Sequence, residues 1–131
     1  MAIITTLALV LLAQAPNQVA QQADASTAAP VDVAFKELAG GQNNAAIERI
    51  EQNEALEQDD PARLINLGIA HARQGNDVEA RELFTAAARN DQRYQLETAE
   101  GDWMDSRDIA RRALAMLDRG EFRTNGRVAS R

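Results

Sequence analysis

The chain has no cysteine among its 131 residues. This absence excludes a disulfide scaffold, a thiol nucleophile, a lipidated cysteine and a zinc–thiolate site. The length suffices for one domain and no more. We therefore expect a small domain that is held together by the packing of its helices alone.

Histidine is almost as scarce, since His71 is the only one and lies within a helical pattern. Acidic pairs such as Glu79 and Glu82 have no histidine or cysteine partner that would make a metal site specific. The chain also lacks a nucleophile elbow and a glycine-rich phosphate loop. The sequence therefore predicts no enzymatic activity, no cofactor and no metal site.

The clearest apolar run covers residues 3–13 and is too short to cross a bilayer, which needs about 20 apolar residues. Together with the small residues at 23–25, the run is typical of a secretory signal. We predict a signal peptide at 1–25, a disordered linker at 26–31 and a periplasmic or secreted protein without a stable membrane span. No lysine or arginine precedes the run, so a cytoplasmic protein with a disordered leader is the alternative.

Small and large apolar residues recur at helical intervals through residues 64–84. The positions are Leu64, Leu67, Gly68, His71, Ala80 and Phe84. Their spacing resembles the tetratricopeptide repeat, a helical hairpin of 34 residues. Gly68 and Ala80 have little bulk, so the two helices are expected to approach closely at these positions. Gly75 is expected to end the first helix and Asp77 to cap the second.

A weaker copy of this pattern lies one repeat length earlier. Moving back by 34 residues places Gly41 on Gly75 and Ala46 on Ala80. The resemblance thus covers two repeats, at about 30–60 and 61–94. For the first repeat we predict a helix over 33–39, a turn at 40–41 and a helix over about 44–57.

Beyond residue 94 the helical spacing gives way to alternation. Tyr94, Leu96 and Thr98 share one face, and the turn at 100–101 is followed by Trp103, which predicts a β-hairpin over 94–105. An isolated hairpin is marginally stable in water, so this one is expected to pack against helices.

A last amphipathic helix is predicted over 106–119, with Asp105 or Ser106 as its cap and Gly120 at its end. We expect it to cover the exposed side of the second repeat, and we predict a flexible tail over 121–131. The predicted fold class of 32–120 is all-α: a short tetratricopeptide-like solenoid of two helical hairpins, with a small β-hairpin and a C-terminal capping helix.

Charge is distributed unevenly along the chain, whose formal net charge is −6. Residues 32–60 carry eight acids and two bases, whereas 107–131 carry seven arginines and three acids. This asymmetry is explained by a solvated surface or by docking of an oppositely charged partner. Nucleic acid is not expected as a partner, because the domain is acidic and no stacking aromatics are interleaved with the arginines.

The resemblance to tetratricopeptide repeats implies a concave groove lined by the first helix of each hairpin. In the second repeat this groove wall would consist of Ala62, Ile65, Asn66, Ile69 and Arg73. Asn66 would hydrogen-bond a peptide backbone or terminal carboxylate, and Arg73 would add charge. The predicted function is that of an adaptor in the bacterial cell envelope that binds a protein or peptide. A self-associating or structural subunit of an envelope complex, without a peptide groove, is the alternative.

Overall fold

The computed structural model describes residues 33–123 of the chain. Its elements are α1 (Phe35–Ala39), α2 (Asn43–Glu51), α3 (Pro61–Arg73), α4 (Asp77–Arg89), β1 (Gln95–Glu97), β2 (Trp103–Asp105) and α5 (Ser106–Asp118). The chain is mostly helical, with one small antiparallel sheet, as predicted. No helix in this described part has the length and apolar character to span a bilayer. The predicted signal peptide and the linker lie outside the described residues.

Helices α3 and α4 form the tightest contact of the fold. The ring of Phe84 on α4 lies so close to Gly68 on α3 that a Cβ at residue 68 would come within 2.5 Å of the Phe84 Cε1 atom. Phe84 and Ala80 are fully buried. The prediction that Gly68 and Ala80 allow close helix approach is therefore confirmed.

Local signals define the ends of α3. The carboxylate of Asp60 accepts a hydrogen bond from the Arg63 amide at 3.0 Å, which satisfies one of the free donors at the helix start. Pro61 follows at the first helical position, where its missing N–H costs nothing. Gly75 has φ +84° and turns the chain into α4, as the sequence predicted.

The predicted cap of α4 was wrong. Asp77 is the first residue of the helix, Asn76 holds the cap position, and neither side chain caps the helix amides. The Asp77 carboxylate instead accepts a hydrogen bond from the Arg123 guanidinium. The Asp77 side chain thus forms a long-range ion pair with Arg123 and not the local capping hydrogen bond that the sequence predicted.

Helix α2 is shorter than the predicted helix over 44–57, because it ends at Glu51. Asn53 turns the chain there: its Oδ1 accepts from the Ala55 amide at 3.1 Å, and its carbonyl accepts from the Leu56 amide at 3.2 Å. Asparagine side chains compete in this way with helical hydrogen bonds. The turn places Leu56 in the core of the first hairpin, which offsets the lost helical residues.

The helices stack in sequence order. Helix α3 packs on both helices of the first hairpin, and α5 packs mainly on α4 and less on α3. Helix α5 therefore covers the second helical hairpin, as predicted. It packs on that hairpin as α3 packs on the first helical hairpin. Ile69 of α3 packs against all three apolar clusters of the fold.

The predicted β-hairpin is confirmed. Strands β1 and β2 are antiparallel, with Leu96 opposite Met104, and Gly101 adopts φ +87° in the connecting turn. Leu96 packs against the cluster that joins α3, α4 and α5. The hairpin is thereby anchored on the helices, as its marginal intrinsic stability requires.

The core continues past Gly120, where the sequence predicted a flexible tail. Gly120 has φ +68° and reverses the chain, and residues 121–123 form a helical turn. Phe122 is only 6% exposed, and its ring stacks on that of Phe84 with centroids 5.9 Å apart. The prediction was wrong for these three residues, and the rest of the tail lies outside the described residues.

Substitution Gly68→Ala tests the α3–α4 contact. Alanine is the better helix former by about 1 kcal/mol, yet its Cβ would force the Phe84 ring to move. We expect a net loss of about 1–3 kcal/mol in the free energy of unfolding, measured by urea denaturation. Gly40→Ala is the matched control, since a Cβ there meets nothing closer than 3.4 Å. Equal effects of the two substitutions would contradict the close contact.

Substitution Phe122→Ala tests whether the tail contributes to the core. Loss of the buried ring is expected to lower the free energy of unfolding by about 2–4 kcal/mol, read from the same denaturation curves. Phe35→Ala serves as control, because Phe35 is 58% exposed and its loss is expected to cost under about 1 kcal/mol. A flexible tail would instead leave stability unchanged in the Phe122 variant.

Candidate functional site

The five predicted groove residues lie on one face of α3, as their helical spacing requires. Their accessibility differs, however. Ile65 is 3% exposed, and its side chain packs in the apolar cluster that α3 forms with α4 and α5. It therefore does not reach the surface. Ala62, Asn66 and Ile69 are half-buried, and Arg73 is exposed.

Asn66 and Arg73 both bind main-chain carbonyls of the first hairpin. The Nδ2 of Asn66 donates to the Val33 carbonyl at 2.8 Å, and Nη1 of Arg73 donates to the Leu38 carbonyl at 2.7 Å. Both bonds are partly buried, and this burial lowers the pKa of Arg73 from its ordinary value. The two side chains therefore hold both ends of α1 against α3.

A third residue of this kind was missed by sequence reasoning. Arg63 is buried, and its Nη1 donates to the Ile50 carbonyl at 2.8 Å. That carbonyl lies in the last turn of α2, where helical acceptors have no partner within the helix. Because the sequence predicted that α2 would continue to residue 57, it gave no reason to seek a donor there.

We call Arg63, Asn66 and Arg73 the carbonyl clasp. A peptide in the predicted groove would have to compete with Val33 for the Asn66 amide, and with Leu38 for one Arg73 donor. Leaving the partly buried Val33 carbonyl without this donor costs about 1–3 kcal/mol, whereas the Leu38 carbonyl would still accept from the Gly41 amide at 3.2 Å. The carbonyl clasp thus joins the two helical hairpins to each other. Of the five predicted groove residues, Arg73 is the most accessible.

The β-hairpin offers a different surface, which the sequence analysis did not assign to function. Trp103 is 66% exposed although it belongs to a regular strand. Side chains alternate along a strand, so Trp103 points away from the face on which Met104 and Leu96 are half-buried. The alternation in the sequence was sufficient to predict this orientation.

The base of the hairpin is tightly held. Ser106 is buried and exchanges hydrogen bonds with the Tyr94 main chain, at 2.9 and 3.2 Å. Asp105 accepts from the Arg107 amide at 2.9 Å, which caps α5, and from Arg93. Desolvation raises the pKa of Asp105, but these two bonds outweigh it, and the pKa lies below its ordinary value. Trp103 therefore stands on an anchored strand and not on a loose loop.

Metal-binding side chains are not clustered on either described surface. Within residues 33–123 no group of three or more histidine, cysteine, aspartate or glutamate side chains is placed to hold a metal ion. The Nδ1 of His71 lies 3.4 Å from the side-chain Nδ2 of Asn76. His71 belongs neither to the β-hairpin nor to the carbonyl clasp.

No protein-family model, curated protein or solved structure matches this chain. The resemblance to tetratricopeptide repeats consequently rests on the residues of 64–84 and their earlier copy.

The structural role of the clasp is tested with Asn66→Ala and Asn66→Asp. Alanine is expected to lower the free energy of unfolding by about 0.5–1.5 kcal/mol. Aspartate should cost more, since its carboxylate would face the Val33 carbonyl oxygen. Hydrogen exchange should show faster exchange of the α1 amides, while the exposed control Glu79→Ala leaves it unchanged. Unaltered exchange in α1 for both Asn66 variants would exclude this role.

Proposed function

We propose that the chain is a non-enzymatic protein-interaction module built on two tetratricopeptide-like hairpins, and that Trp103 is its main contact residue. The exposed indole on an anchored β-hairpin is the observation that supports the proposal. Tryptophan is enriched among the residues that dominate binding energy at protein interfaces. Because the strand is already ordered, less conformational entropy is lost when a partner binds.

The role of the concave face in this proposal is mainly structural. The clasp fixes the first hairpin on α3, and α3 in turn supports the cluster on which Leu96 of the hairpin packs. A peptide groove along α3 would have Ala62 and Arg73 as its accessible members. In this proposal Trp103 is the main contact residue, and the predicted groove along α3 is a second contact region.

The proposal includes the cell envelope as the site of action. It rests on the apolar run at residues 3–13 and on the small residues at 23–25. A cysteine-free domain of packed helices folds equally in an oxidising compartment. Envelope proteins are therefore the partners to test first.

Self-association through the open end of the first hairpin is less favoured. One surface of α1 and α2 is mainly polar, with a salt bridge of 2.7 Å between Arg49 and Glu37, although Phe35 of α1 is 58% exposed. The residues of this polar surface are Glu37, Ala45, Glu48, Arg49, Gln52 and Asn53. End repeats of soluble solenoids carry such polar outer faces. This surface resembles a solvated end more than a dimer interface.

The proposal is tested by partner capture from an envelope extract with the tagged full-length chain. Trp103→Ala is expected to reduce recovery of the specific partner by about tenfold or more, as for a dominant contact residue. Val78→Ala is the matched control, because Val78 is 76% exposed on α4 and lies outside both candidate surfaces.

A third variant, Ala62→Glu, places a charge in the predicted groove, and equal melting temperatures establish that all variants are folded. Loss of capture with Ala62→Glu but not with Trp103→Ala would assign binding to the groove and contradict our proposal. Light scattering should show a monomer. A dimer at all concentrations would favour the self-associating subunit instead.

A further inference from the structure

The outer face of the β-hairpin combines an exposed indole with carboxylates. Trp103 lies directly opposite Glu97 in the strand register. Side chains of such cross-strand pairs start from Cβ atoms about 4.5–5.5 Å apart and point to the same side. Glu100 and Asp102 lie in and after the turn of the same hairpin. Asp102 lies opposite Thr98, whose amide donates to the Asp102 carbonyl at 2.8 Å, so it belongs to the side of Leu96 and Met104. We call Glu97, Glu100 and Trp103 the acidic hairpin face.

The charges on this face are not neutralised locally. Residues 95–105 contain four acids and no base. Asp105, the only one with a cationic partner, binds Arg93 at 2.7 Å and caps α5. The carboxylates of Glu97, Glu100 and Asp102 form no ion pair within residues 33–123. The ion pair with Arg93 neutralises Asp105, so the unpaired carboxylates of Glu97 and Glu100 give the acidic hairpin face its net negative charge.

We propose that the acidic hairpin face binds a positively charged side chain of a protein partner, most favourably an arginine. The cation would lie on the indole of Trp103 and pair with the Glu97 carboxylate. Tryptophan is the best aromatic partner for a cation, and a guanidinium can stack on a ring while it hydrogen-bonds a carboxylate. This inference rests on the proposed function and specifies the chemistry of its partner.

Charge complementarity decides between this occupant and an apolar one. A neutral apolar partner that covered Trp103 would also remove water from Glu97, and an unpaired carboxylate is costly to desolvate. An arginine covers the ring and supplies the counter-charge in one group. Nucleic acid phosphates would be repelled by the same carboxylates.

The experiment uses a synthetic peptide, acetyl-(Ala-Arg)3-amide, and the full-length chain. Trp103 is the only tryptophan, so intrinsic fluorescence reports on this face alone. We expect a saturable change in emission. The matched peptide with citrulline in place of arginine keeps the shape without the charge and should bind at least about fivefold more weakly.

Variants separate the specific site from general attraction. Glu97→Gln is expected to weaken binding about three- to tenfold, and Trp103→Leu, followed by calorimetry because it lacks the fluorophore, at least as much. Glu54→Gln is the control, since it removes the same charge from an exposed position of the first hairpin. It should leave affinity unchanged within about twofold.

Four outcomes would overturn the inference. Equal binding of the citrulline peptide would remove the need for a cation, and equal weakening by Glu54→Gln would reduce binding to net charge. A concentration-dependent emission shift without peptide would show that arginines of a second copy occupy the face. If Trp103→Ala abolishes partner capture while the arginine peptide fails, the interaction function stands and only the cation chemistry is wrong.

Discussion

The fold depends on the contact between Gly68 and the ring of Phe84. With no side chain at residue 68, the ring can lie against the backbone of α3, which sets the distance between α3 and α4. The same ring stacks on Phe122, and the same cluster includes Ala113 and Leu117 of α5. One aromatic side chain thus joins the second hairpin, the last helix and the turn that follows it. Few other side chains here are large enough, since aromatics make up 4% of the chain.

The first hairpin is attached by a different kind of interaction. Helix α1 has five residues and buries only Leu38, so apolar area alone would hold it weakly. The carbonyl clasp adds three donors from α3 to main-chain acceptors of that hairpin. Charged donors make stronger hydrogen bonds than neutral ones, and two of the three are arginines. Polar bonds here supplement a core that a short repeat cannot supply.

The sequence predicted most of what local periodicity and turn residues determine. The second hairpin, Gly75, Gly101 and Gly120 fall where the pattern placed them, because each depends on neighbours within a few residues. The early end of α2, the pairing of Asp77 with Arg123 and the burial of Phe122 were not predicted. The last two depend on contacts between distant parts of the chain, whereas α2 ends early through the local turn at Asn53, which the apolar spacing did not indicate. The candidate site shows the same difference. The sequence predicted helix α3, but it did not predict the main-chain carbonyls that accept hydrogen bonds from the Asn66 and Arg73 side chains.

These two kinds of contact are the reason why we propose a binding surface on the β-hairpin and not in the groove. The first helix of a repeat can offer its groove face to a ligand only when neighbouring repeats supply the stability. In this chain, the side chains of Asn66 and Arg73 are bonded to main-chain carbonyls at the two ends of α1, and Ile65 is within the core. The hairpin is anchored by Leu96, Ser106 and Asp105, and neither Trp103 nor Glu97 takes part in these anchoring contacts. Trp103 and Glu97 can therefore engage a partner without breaking a contact that the fold requires.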